Sequence, residues 1–221
     1  MTRDLPFRDR RHAGQVLAQR LQHWRDRPGL LVLALPRGGV PVGDEVARAL
    51  DAPLDVLVVR KLGAPWHPEF AIGALASGGV RVLQPEADTL PDAVLERIVR
   101  REQAELERRE RLYRGERPPV SVQGRSVLLV DDGLATGATM QAAAEAVRVQ
   151  KPAALCVAVP VGAADSCRAL TELADEVVCA ETPEPFRAVS LWYRDFPQTS
   201  DDEVRSLLAA AAQRAADGAL H

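Results

Sequence analysis

The sequence lacks a strong excess of charge of either sign. Its 28 Lys and Arg residues face 31 Asp and Glu residues, which leaves a formal net charge of −3. Proteins that bind nucleic acid or anionic membranes through their overall charge carry a clear positive excess. We therefore predict no nucleic-acid partner, and any anion-binding site must be local.

Long apolar runs are also missing. No stretch approaches the roughly 20 apolar residues that cross a bilayer. The opening MTRDLPFRDRRHAGQ has no apolar centre of the kind found in secretory signals. We predict no membrane partner and a cytoplasmic location.

Cysteine is scarce, with three residues in the chain: Cys156, Cys167 and Cys179. Their spacing does not match paired metal ligands, and two of them lie inside apolar runs. We interpret them as small core residues rather than as redox or metal-binding groups.

The composition is that of an ordinary globular protein, with 47% hydrophobic and 27% charged residues. We find no internal repeat and no low-complexity linker. A length of 221 residues fits one well-cored domain with an appendage. We therefore predict a single domain over 1–221.

Apolar runs alternate with helical patterns along much of the chain. Runs typical of buried strands occupy 30–35, 54–60, 126–132, 154–161 and 176–180. Helical spacing occupies 41–50, 140–150 and 164–174, with an opening helix capped by Asp9 and a closing helix over 201–216. This order predicts an α/β fold with a parallel-sheet core flanked by helices.

Three segments depart from this alternation. Residues 71–76 and 80–83 predict a hairpin around Ser77-Gly78-Gly79, and 186–196 has strand character. Residues 91–114 predict a long inserted helix with a narrow apolar stripe. Its acids and arginines are spaced for favourable i to i+4 pairs: Glu96–Arg100, Glu105–Arg109, Glu107–Arg111 and Glu110–Arg114. We interpret it as a solvated face over a packing stripe rather than a nucleic-acid or partner surface.

The segment VLLVDDGLATGAT, residues 127–139, combines the features of a sugar-phosphate site. Asp131 and Asp132 end an apolar strand, where ligands of α/β sheets bind. The glycines and threonines of 133–139 precede a helix, so backbone N–H groups can converge on an anion. Adjacent acids would repel a bare phosphate but can accept hydrogen bonds from a ribose diol. The spacing is neither that of a nucleotide P-loop nor that of a dinucleotide fingerprint.

This segment resembles the phosphoribosyl pyrophosphate motif of type I phosphoribosyltransferases. The resemblance implies that Asp131 and Asp132 hold the ribose hydroxyls and, mainly through water, Mg²⁺. It implies a 5′-phosphate site made by Gly133, Ala135, Thr136, Gly137, Ala138 and Thr139. A salt bridge that turned the two carboxylates away would contradict this assignment.

The turn Pro36-Arg37-Gly38-Gly39 resembles the pyrophosphate loop of the same family. The resemblance implies a pyrophosphate site made by Arg37, Gly38, Gly39 and Lys61, and a cis peptide at Pro36–Arg37 or its neighbour. Arg37 supplies a forked donor, and the glycines allow the backbone to approach closely. The alternative is an ordinary glycine-rich turn.

Arg60-Lys61 resembles the basic pair that opens the flexible catalytic loop in several family members. By this resemblance Arg37, Arg60 and Lys61 are catalytic, and a loop over 62–70 carries a lid. Trp66 and His67 could help that lid exclude water. The alternative is a surface loop with solvated cations, and for His67 a structural role is favoured.

Nearly the whole chain resembles a bacterial group of predicted phosphoribosyltransferases whose substrate is not settled. The resembling stretches are FRDRRHAGQVLA, LPRGGVPVGDEVA, VVRKLGAP with EFAIGALA, DDGLATGATM and LWYRDFPQTSDDEV. The resemblance implies a core over about 28–180, a hood built from 1–27 and 181–221, and a homodimer.

The acceptor base is less defined by sequence. Ala135 stands where enzymes for 6-oxopurines carry an aspartate, which weakens a hypoxanthine or guanine assignment. The Leu-Ala-Thr-Gly sequence resembles uracil enzymes, but those commonly have Asp-Pro in place of Asp131-Asp132. Gly133 replaces a branched residue, which loosens the loop or admits a ligand group.

In the hood, Trp192 and Tyr193 could stack on a flat ring, and Asp195 could accept from its N–H groups. The alternative is that these residues pack into the core and cap a turn.

The leading interpretation is transfer of a 5-phosphoribosyl group from phosphoribosyl pyrophosphate to a purine, pyrimidine or related nitrogen heterocycle, with Mg²⁺ and release of pyrophosphate. A non-catalytic sensor of the donor is the first alternative, motivated by Ala135 and the helix over 91–114. Cleavage of a nucleotide by phosphate or pyrophosphate is the second.

Overall fold

A five-stranded parallel sheet forms the centre of the computed structural model, which describes residues 6–218 except for the side chains of residues 68, 69 and 218. Its strands lie in the order β2-β1-β6-β7-β8. They are β1 (Leu31–Ala34), β2 (Leu54–Val56), β6 (Ser126–Val130), β7 (Ala154–Val161) and β8 (Glu176–Glu181). The predicted parallel α/β core is therefore confirmed.

Helices cover both faces of this sheet. They are α1 (Arg10–Arg20), α2 (Gly39–Leu50), α3 (Asp92–Arg114), α4 (Ala138–Val149), α5 (Ala164–Ala169) and α6 (Asp201–Gly218). Short 3₁₀ helices occupy Gln22–Trp24, Pro85–Thr89, Leu170–Glu172 and Val189–Trp192. The predicted cap of α1 is confirmed, since the Asp9 side chain accepts from the His12 N–H. In the described part of the chain, none of the helices has both the length and the apolar character needed to cross a bilayer.

The apolar runs of the central strands are buried on both faces. Val32 of β1 and Leu128 of β6 belong to the layer that packs under α1, α2, α3 and α6. Leu33 and Leu129, the next residue on each strand, belong to the layer under α4 and α5. Because successive strand side chains point to opposite faces, continuous Val and Leu runs are what a doubly covered sheet requires.

A second sheet of three antiparallel strands extends from the core, and we call it the flap. It contains β3 (Val59–Ala64), β4 (His67–Ala76) and β5 (Val80–Leu83). The predicted hairpin around Ser77-Gly78-Gly79 is confirmed, with Ala76 paired to Val80.

Two predictions about this region are wrong. The run over 54–60 is not one strand, because β2 ends at Val56 and β3 begins in the flap at Val59. The segment 62–70 is not an open loop, because β3 and β4 pair through it around a tight turn at Pro65-Trp66. Apolar character continues across the break between the sheets, so hydrophobicity alone did not separate them.

The long helix α3 is confirmed within one residue of its predicted range. Two of the predicted pairs form, Glu105–Arg109 and Glu110–Arg114, each at 2.8 Å. Glu96 instead forms an ion pair with Arg81 of the flap, with 2.9 Å between Arg81 Nη1 and Glu96 Oε1. The helix is anchored to the core because buried Arg114 also pairs with buried Asp55 of β2, at 2.9 Å.

The interpretation of the cysteines is only partly right. Cys156 is a buried free thiol, whose burial raises its pKa. Cys167 on α5 and Cys179 on β8 instead form a disulfide. The two elements face each other beside Gly162, at the end of β7. Spacing along the chain could not show this, since the residues lie on different elements.

The segment over 186–196 was also misassigned, because it contains a 3₁₀ helix and one isolated bridge, not a strand of a sheet. That bridge joins Tyr193 to Phe7, so the segments before α1 and before α6 meet. The helices α1 and α6 themselves pack against α2. Arg10, the first residue of α1, also reaches the acids that follow β6.

Candidate active site

The turn 36–39 and the acid pair Asp131-Asp132 meet at one edge of the central sheet because they follow neighbouring strands. Ala34 of β1 pairs with Val130 of β6, so the turn 36–39 and the acid pair follow directly at the same edge. A Cβ atom on Gly38 would lie 2.0 Å from Asp132 Oδ2, and one on Gly39 would lie 2.8 Å from the Val130 carbonyl oxygen. Only glycine permits this approach.

The turn after β1 has the predicted backbone. The peptide bond between Pro36 and Arg37 is cis. The Arg37 side chain is about one-third exposed and lies 3.8 Å from Asp201 at the start of α6. Asp201 also accepts a hydrogen bond from Tyr113 of α3 at 2.8 Å, and burial raises the pKa of Tyr113 to about 12.

The first half of the loop 133–139 is fixed by hydrogen bonds to neighbouring segments. Leu134 donates to Val161 and accepts from Ala163, each at 2.9 Å, which ties the loop to the end of β7. The Ser166 hydroxyl donates to the Ala135 carbonyl at 2.6 Å. Gly137 has φ +77° and precedes α4. The first N–H groups of α4 therefore converge beside exposed Thr136 and Thr139, as an anion site requires.

The two carboxylates lie in a poorly solvated position. Asp131 Oδ1 accepts from the Asp132 N–H at 2.8 Å. Burial raises the pKa of Asp131 well above its ordinary value, and the neighbouring Asp132 charge adds to the rise. Burial also raises the pKa of Asp132, although Arg10 acts in the opposite direction. Such crowding of two acids at a strand end is typical of a ligand site.

Arg10 is a site residue that the sequence reasoning missed. Its Nε donates to Asp132 Oδ2 at 2.8 Å, with both side chains largely buried. Its Nη1 donates to the Pro197 carbonyl at 2.6 Å, and its guanidinium lies 3.7 Å from the centre of the Phe196 ring. Arg10 thus joins the acid pair to the segments around α1 and before α6. The RDRR sequence at 8–11 offered cations, but nothing local marked this one.

The Arg10 pair bears directly on the expectation that both carboxylates are available. One oxygen of Asp132 is engaged in a salt bridge. The carboxylate has not turned away from the site, however, since the same oxygen lies against Gly38. Arg10 does not contact the second oxygen, Oδ1, so this salt bridge occupies neither Oδ1 nor the Asp131 carboxylate.

The three predicted base-site residues are placed differently from one another. The Tyr193 ring is buried between Phe7 and Phe196, at centroid distances of 5.4 Å and 4.7 Å. Its hydroxyl donates to the Asp132 carbonyl oxygen at 2.5 Å. The Tyr193 ring therefore offers no open face on which a base could stack, and its hydroxyl holds the backbone of Asp132 in place. Trp192 carries a buried indole N–H without a hydrogen-bond partner, while Asp195 is exposed.

Gly133 makes room for the segment before α6. A Cβ atom there would lie 2.5 Å from a methyl carbon of Val189. Sequence reasoning proposed a looser loop or a ligand group close to the backbone. In the structure a valine side chain takes up this space, so Gly133 brings the 3₁₀ helix Val189–Trp192 against the acid pair.

The predicted basic pair lies on flap strand β3. Arg60 donates through Nε and Nη2 to Glu102 Oε2, at 2.9 Å and 2.6 Å, so its guanidinium is bound to α3. Lys61 is exposed and faces the first turn of α4, where it borders cavities lined by Thr139 and by Ala138. The flap therefore brings Lys61, more than Arg60, towards the phosphate loop.

The donor set at the strand end fits magnesium only in company with a substrate. Among the side chains that the structure describes, there is no cluster of three or more His, Cys, Asp or Glu able to hold a metal ion. Magnesium in phosphate sites keeps several waters and takes one or two carboxylates plus substrate oxygens. Asp131 and Asp132 match that requirement.

Comparisons with known proteins agree with the geometry. Residues 10–191 match the family model of the phosphoribosyl transferase domain. Two proteins of Mycobacterium tuberculosis, from strains H37Rv and CDC 1551 and provisionally named phosphoribosyl transferases, are each 47% identical over 208 residues. These residues are 93% of this chain but 47% of each relative, so the chain spans about half their length.

A solved structure matches the fold over nearly the whole chain. The crystal structure of the protein TT1426 from Thermus thermophilus is 46% identical and superposes with a TM-score of 0.84. The match covers 92% of this chain and 98% of that one.

Proposed function

Because the chain belongs to the phosphoribosyl transferase domain family, we propose that it transfers the 5-phosphoribosyl group from phosphoribosyl pyrophosphate to a nitrogen heterocycle and releases pyrophosphate. One observation carries the proposal. The acid pair, the anion-binding loop and the glycine turn meet at one sheet edge, with Gly38 against Asp132.

The parts of this edge bind different parts of the donor. Backbone N–H groups of 135–139 bind the 5′-phosphate. Asp131 and Asp132 Oδ1 accept hydrogen bonds from the ribose hydroxyls and bind Mg²⁺ mainly through water. When bound, the ion neutralises charge on the pyrophosphate. Arg37 and the N–H groups of the glycine turn stabilise the negative charge that develops on the leaving group, with Lys61 reaching in from the flap.

The acceptor is held on the other side of the acid pair, beside the 3₁₀ helix Val189–Trp192. The indole N–H of Trp192 has no hydrogen-bond partner, so it suits a base that presents a carbonyl oxygen or a ring nitrogen. Exposed Asp195 can accept hydrogen bonds from the N–H groups of such a base. Tyr193 does not stack on the base; it holds Asp132 through the hydrogen bond from its hydroxyl to the Asp132 carbonyl oxygen. Assembly as a homodimer and a cytoplasmic location stay predictions.

A combined screen tests the activity. Thermal stability and pyrophosphate release are measured with phosphoribosyl pyrophosphate and Mg²⁺, against purines, pyrimidines and small heterocyclic amides. Stabilisation by the donor plus pyrophosphate release with an acceptor is the expected result. Stabilisation without release from any acceptor would favour the sensor. Reaction only from nucleotide plus phosphate or pyrophosphate, established by product analysis, would favour cleavage. No stabilisation by the donor would overturn the site.

The acid pair itself is tested by calorimetry. Replacing Asp131 and Asp132 together by Asn removes two charged acceptors, each contributing about 1.5 kcal/mol or more to hydrogen bonding. We expect donor affinity to fall at least about tenfold. The exposed pair Asp88→Asn and Asp202→Asn is the matched control. Unchanged donor affinity in the Asp131/Asp132 variant would mean that the donor binds elsewhere.

A further inference from the structure

A cavity of about 540 Å³ lies between flap strand β3 and helix α3. It adjoins the strand-end site, by which we mean the turn 36–39, the acid pair Asp131-Asp132 and the loop 133–139. Its walls contain none of the residues 36–39 or 131–137. It borders the phosphate loop only at Thr139, and it shares Lys61 with the proposed pyrophosphate site. The cavity is therefore a neighbour of the donor site rather than a part of it.

The walls of this cavity are strongly cationic. They carry Arg60 and Lys61 from β3, Arg97 and Arg101 from α3, and one acid, Glu102. Four cations and one carboxylate leave a formal excess of three positive charges. This local excess contrasts with the net charge of −3 of the whole chain. Cations clustered along a cleft concentrate their field on the space between its walls.

Glu102 organises these cations rather than cancelling them. The side chain is buried, and both carboxylate oxygens are used. Oε2 accepts from Arg60 at 2.6 Å and 2.9 Å, while Oε1 accepts from Arg101 at 2.9 Å. One buried acid thus holds two guanidinium groups, one from each wall. The guanidinium N–H groups that Glu102 does not occupy can donate to phosphate oxygens in charge-assisted hydrogen bonds.

The cavity is larger than one phosphate group needs, and one side of it is apolar. Val59, Val94 and Ile98 line that side. The volume lies in the range of small-molecule sites. Near Thr139, the first turn of α4 adds the positive end of a helix. These surroundings fit a chain of phosphates, with room for a ring attached to it.

We propose that this cavity binds a ligand with two or more linked phosphate groups, either an inorganic oligophosphate or a nucleoside diphosphate or triphosphate. Arg97 and Arg101 bind its phosphates, and the apolar side accommodates a base when one is present. Because Lys61 and Thr139 border both sites, an occupant lowers donor affinity, and the donor lowers affinity for the occupant by the same factor. The cavity binding itself does not depend on transferase activity.

The test uses calorimetry with inorganic tripolyphosphate and with ADP, each without magnesium. All variants are made in an Arg37→Ala background, so that the pyrophosphate turn contributes little. Arg97→Ala with Arg101→Ala is expected to weaken binding at least about tenfold, since each removes a charge-assisted hydrogen bond. Because the loss of Arg101 leaves Glu102 short of a partner, Arg97→Gln alone is measured as well and is expected to weaken binding about threefold.

Arg100→Ala with Arg111→Ala is the matched control, as both residues lie on α3 outside the cavity walls. Equal weakening by the control would overturn the proposal in favour of attraction to the whole helix. Dissociation constants above about 1 mM for both probes would overturn it too. Binding of tripolyphosphate as tight as that of ADP supports an inorganic ligand, and tighter binding of ADP supports a nucleotide that uses the apolar side.

The outcome is separable from that of the proposed function. Asp131→Asn with Asp132→Asn is expected to weaken donor binding and to leave tripolyphosphate binding unchanged. Loss of both together in that variant would overturn a separate cavity site. Normal tripolyphosphate binding by a protein that does not bind the donor would overturn the proposed function alone.

Discussion

The strand-end site and the segments that cover it are held together by different kinds of interaction. The turn 36–39 and the acids after β6 are positioned by the backbone register of β1 and β6. The covering segments are positioned by side chains: Arg10 on Asp132, Tyr193 on the Asp132 carbonyl and Val189 against Gly133. A substitution therefore acts differently in the two places.

Backbone register tolerates the loss of a single side chain, whereas a contact made by one guanidinium does not. Removing a functional group at the sheet edge should change binding and turnover with little loss of fold. Removing a group from the covering contact should lower stability, because its partners remain buried without it. This difference between the two regions is what the following substitutions measure.

The largest effect on stability is expected for Arg10→Ala. The change leaves Asp132 largely buried without its cation, and breaking one partner of a buried pair costs about 3 kcal/mol. Denaturant unfolding at pH 7 measures it. The neighbouring Arg11→Ala, at an exposed position, is the control. Adding Asp132→Asn to Arg10→Ala should recover most of the loss, and the absence of recovery would show that the pair is not its cause.

Arg37→Ala is expected to have the opposite profile, with a large effect on turnover and a small one on unfolding. Loss of a donor to the leaving group lowers turnover about 10²-fold or more, which corresponds to about 2.7 kcal/mol. Pyrophosphate release measures turnover, and calorimetry with pyrophosphate and magnesium gives a second readout. Exposed Arg111→Ala is the control. Unchanged values in both assays would leave 36–39 as an ordinary glycine-rich turn.

The same division explains what sequence reasoning could reach. The acid pair, the phosphate loop and the glycine turn are contiguous segments, and each follows a recognisable apolar strand. Arg10 is 122 residues away from Asp132, and no local pattern distinguishes it from the arginines around it. Its role exists only once α1 has packed beside the sheet.

Strand β3 of the flap was missed for a related reason. An apolar run with β character passes from β2 of the central sheet into β3 without a turn signal, so the change of sheet has no local signature. Around the turn at Pro65-Trp66 the register between β3 and β4 shifts twice, so this part of the chain carries no regular strand pattern. Tertiary pairing decided these residues, as it often does for strands.

The disulfide offers an intermediate test, since it joins elements beside the phosphate loop. Cys167→Ser with Cys179→Ser should lower the free energy of unfolding by about 2 kcal/mol, because the closed loop is short. A reducing agent should lower the free energy of unfolding of the unsubstituted protein by the same amount. Thiol titration under denaturing, non-reducing conditions should find one free thiol, that of Cys156. Three free thiols would show that the bond does not form in solution.

The smallest expected effect is a gain in stability at the sheet edge, from Asp131→Asn. Burial and the Asp132 charge raise the pKa of Asp131 above its ordinary value of 3.8. The native state therefore retains a proton that the unfolded chain has lost, so this carboxyl lowers stability increasingly as pH rises from 3.8 through its native pKa. Asn removes that penalty and can still accept from the Asp132 N–H.

Asp131→Asn should therefore unfold about 2–4 °C higher than the native protein at pH 8, a gain on the order of 1 kcal/mol. The gain should shrink as the pH falls and should vanish below 3.8, where the folded and unfolded states of the unsubstituted protein both hold the proton. Exposed Asp88→Asn should show no such trend. A gain that does not depend on pH would mean that Asp131 is strained by packing rather than by its charge. A lower unfolding temperature of Asp131→Asn at pH 8 would mean that the Asp131 charge stabilises the protein even without a bound ligand.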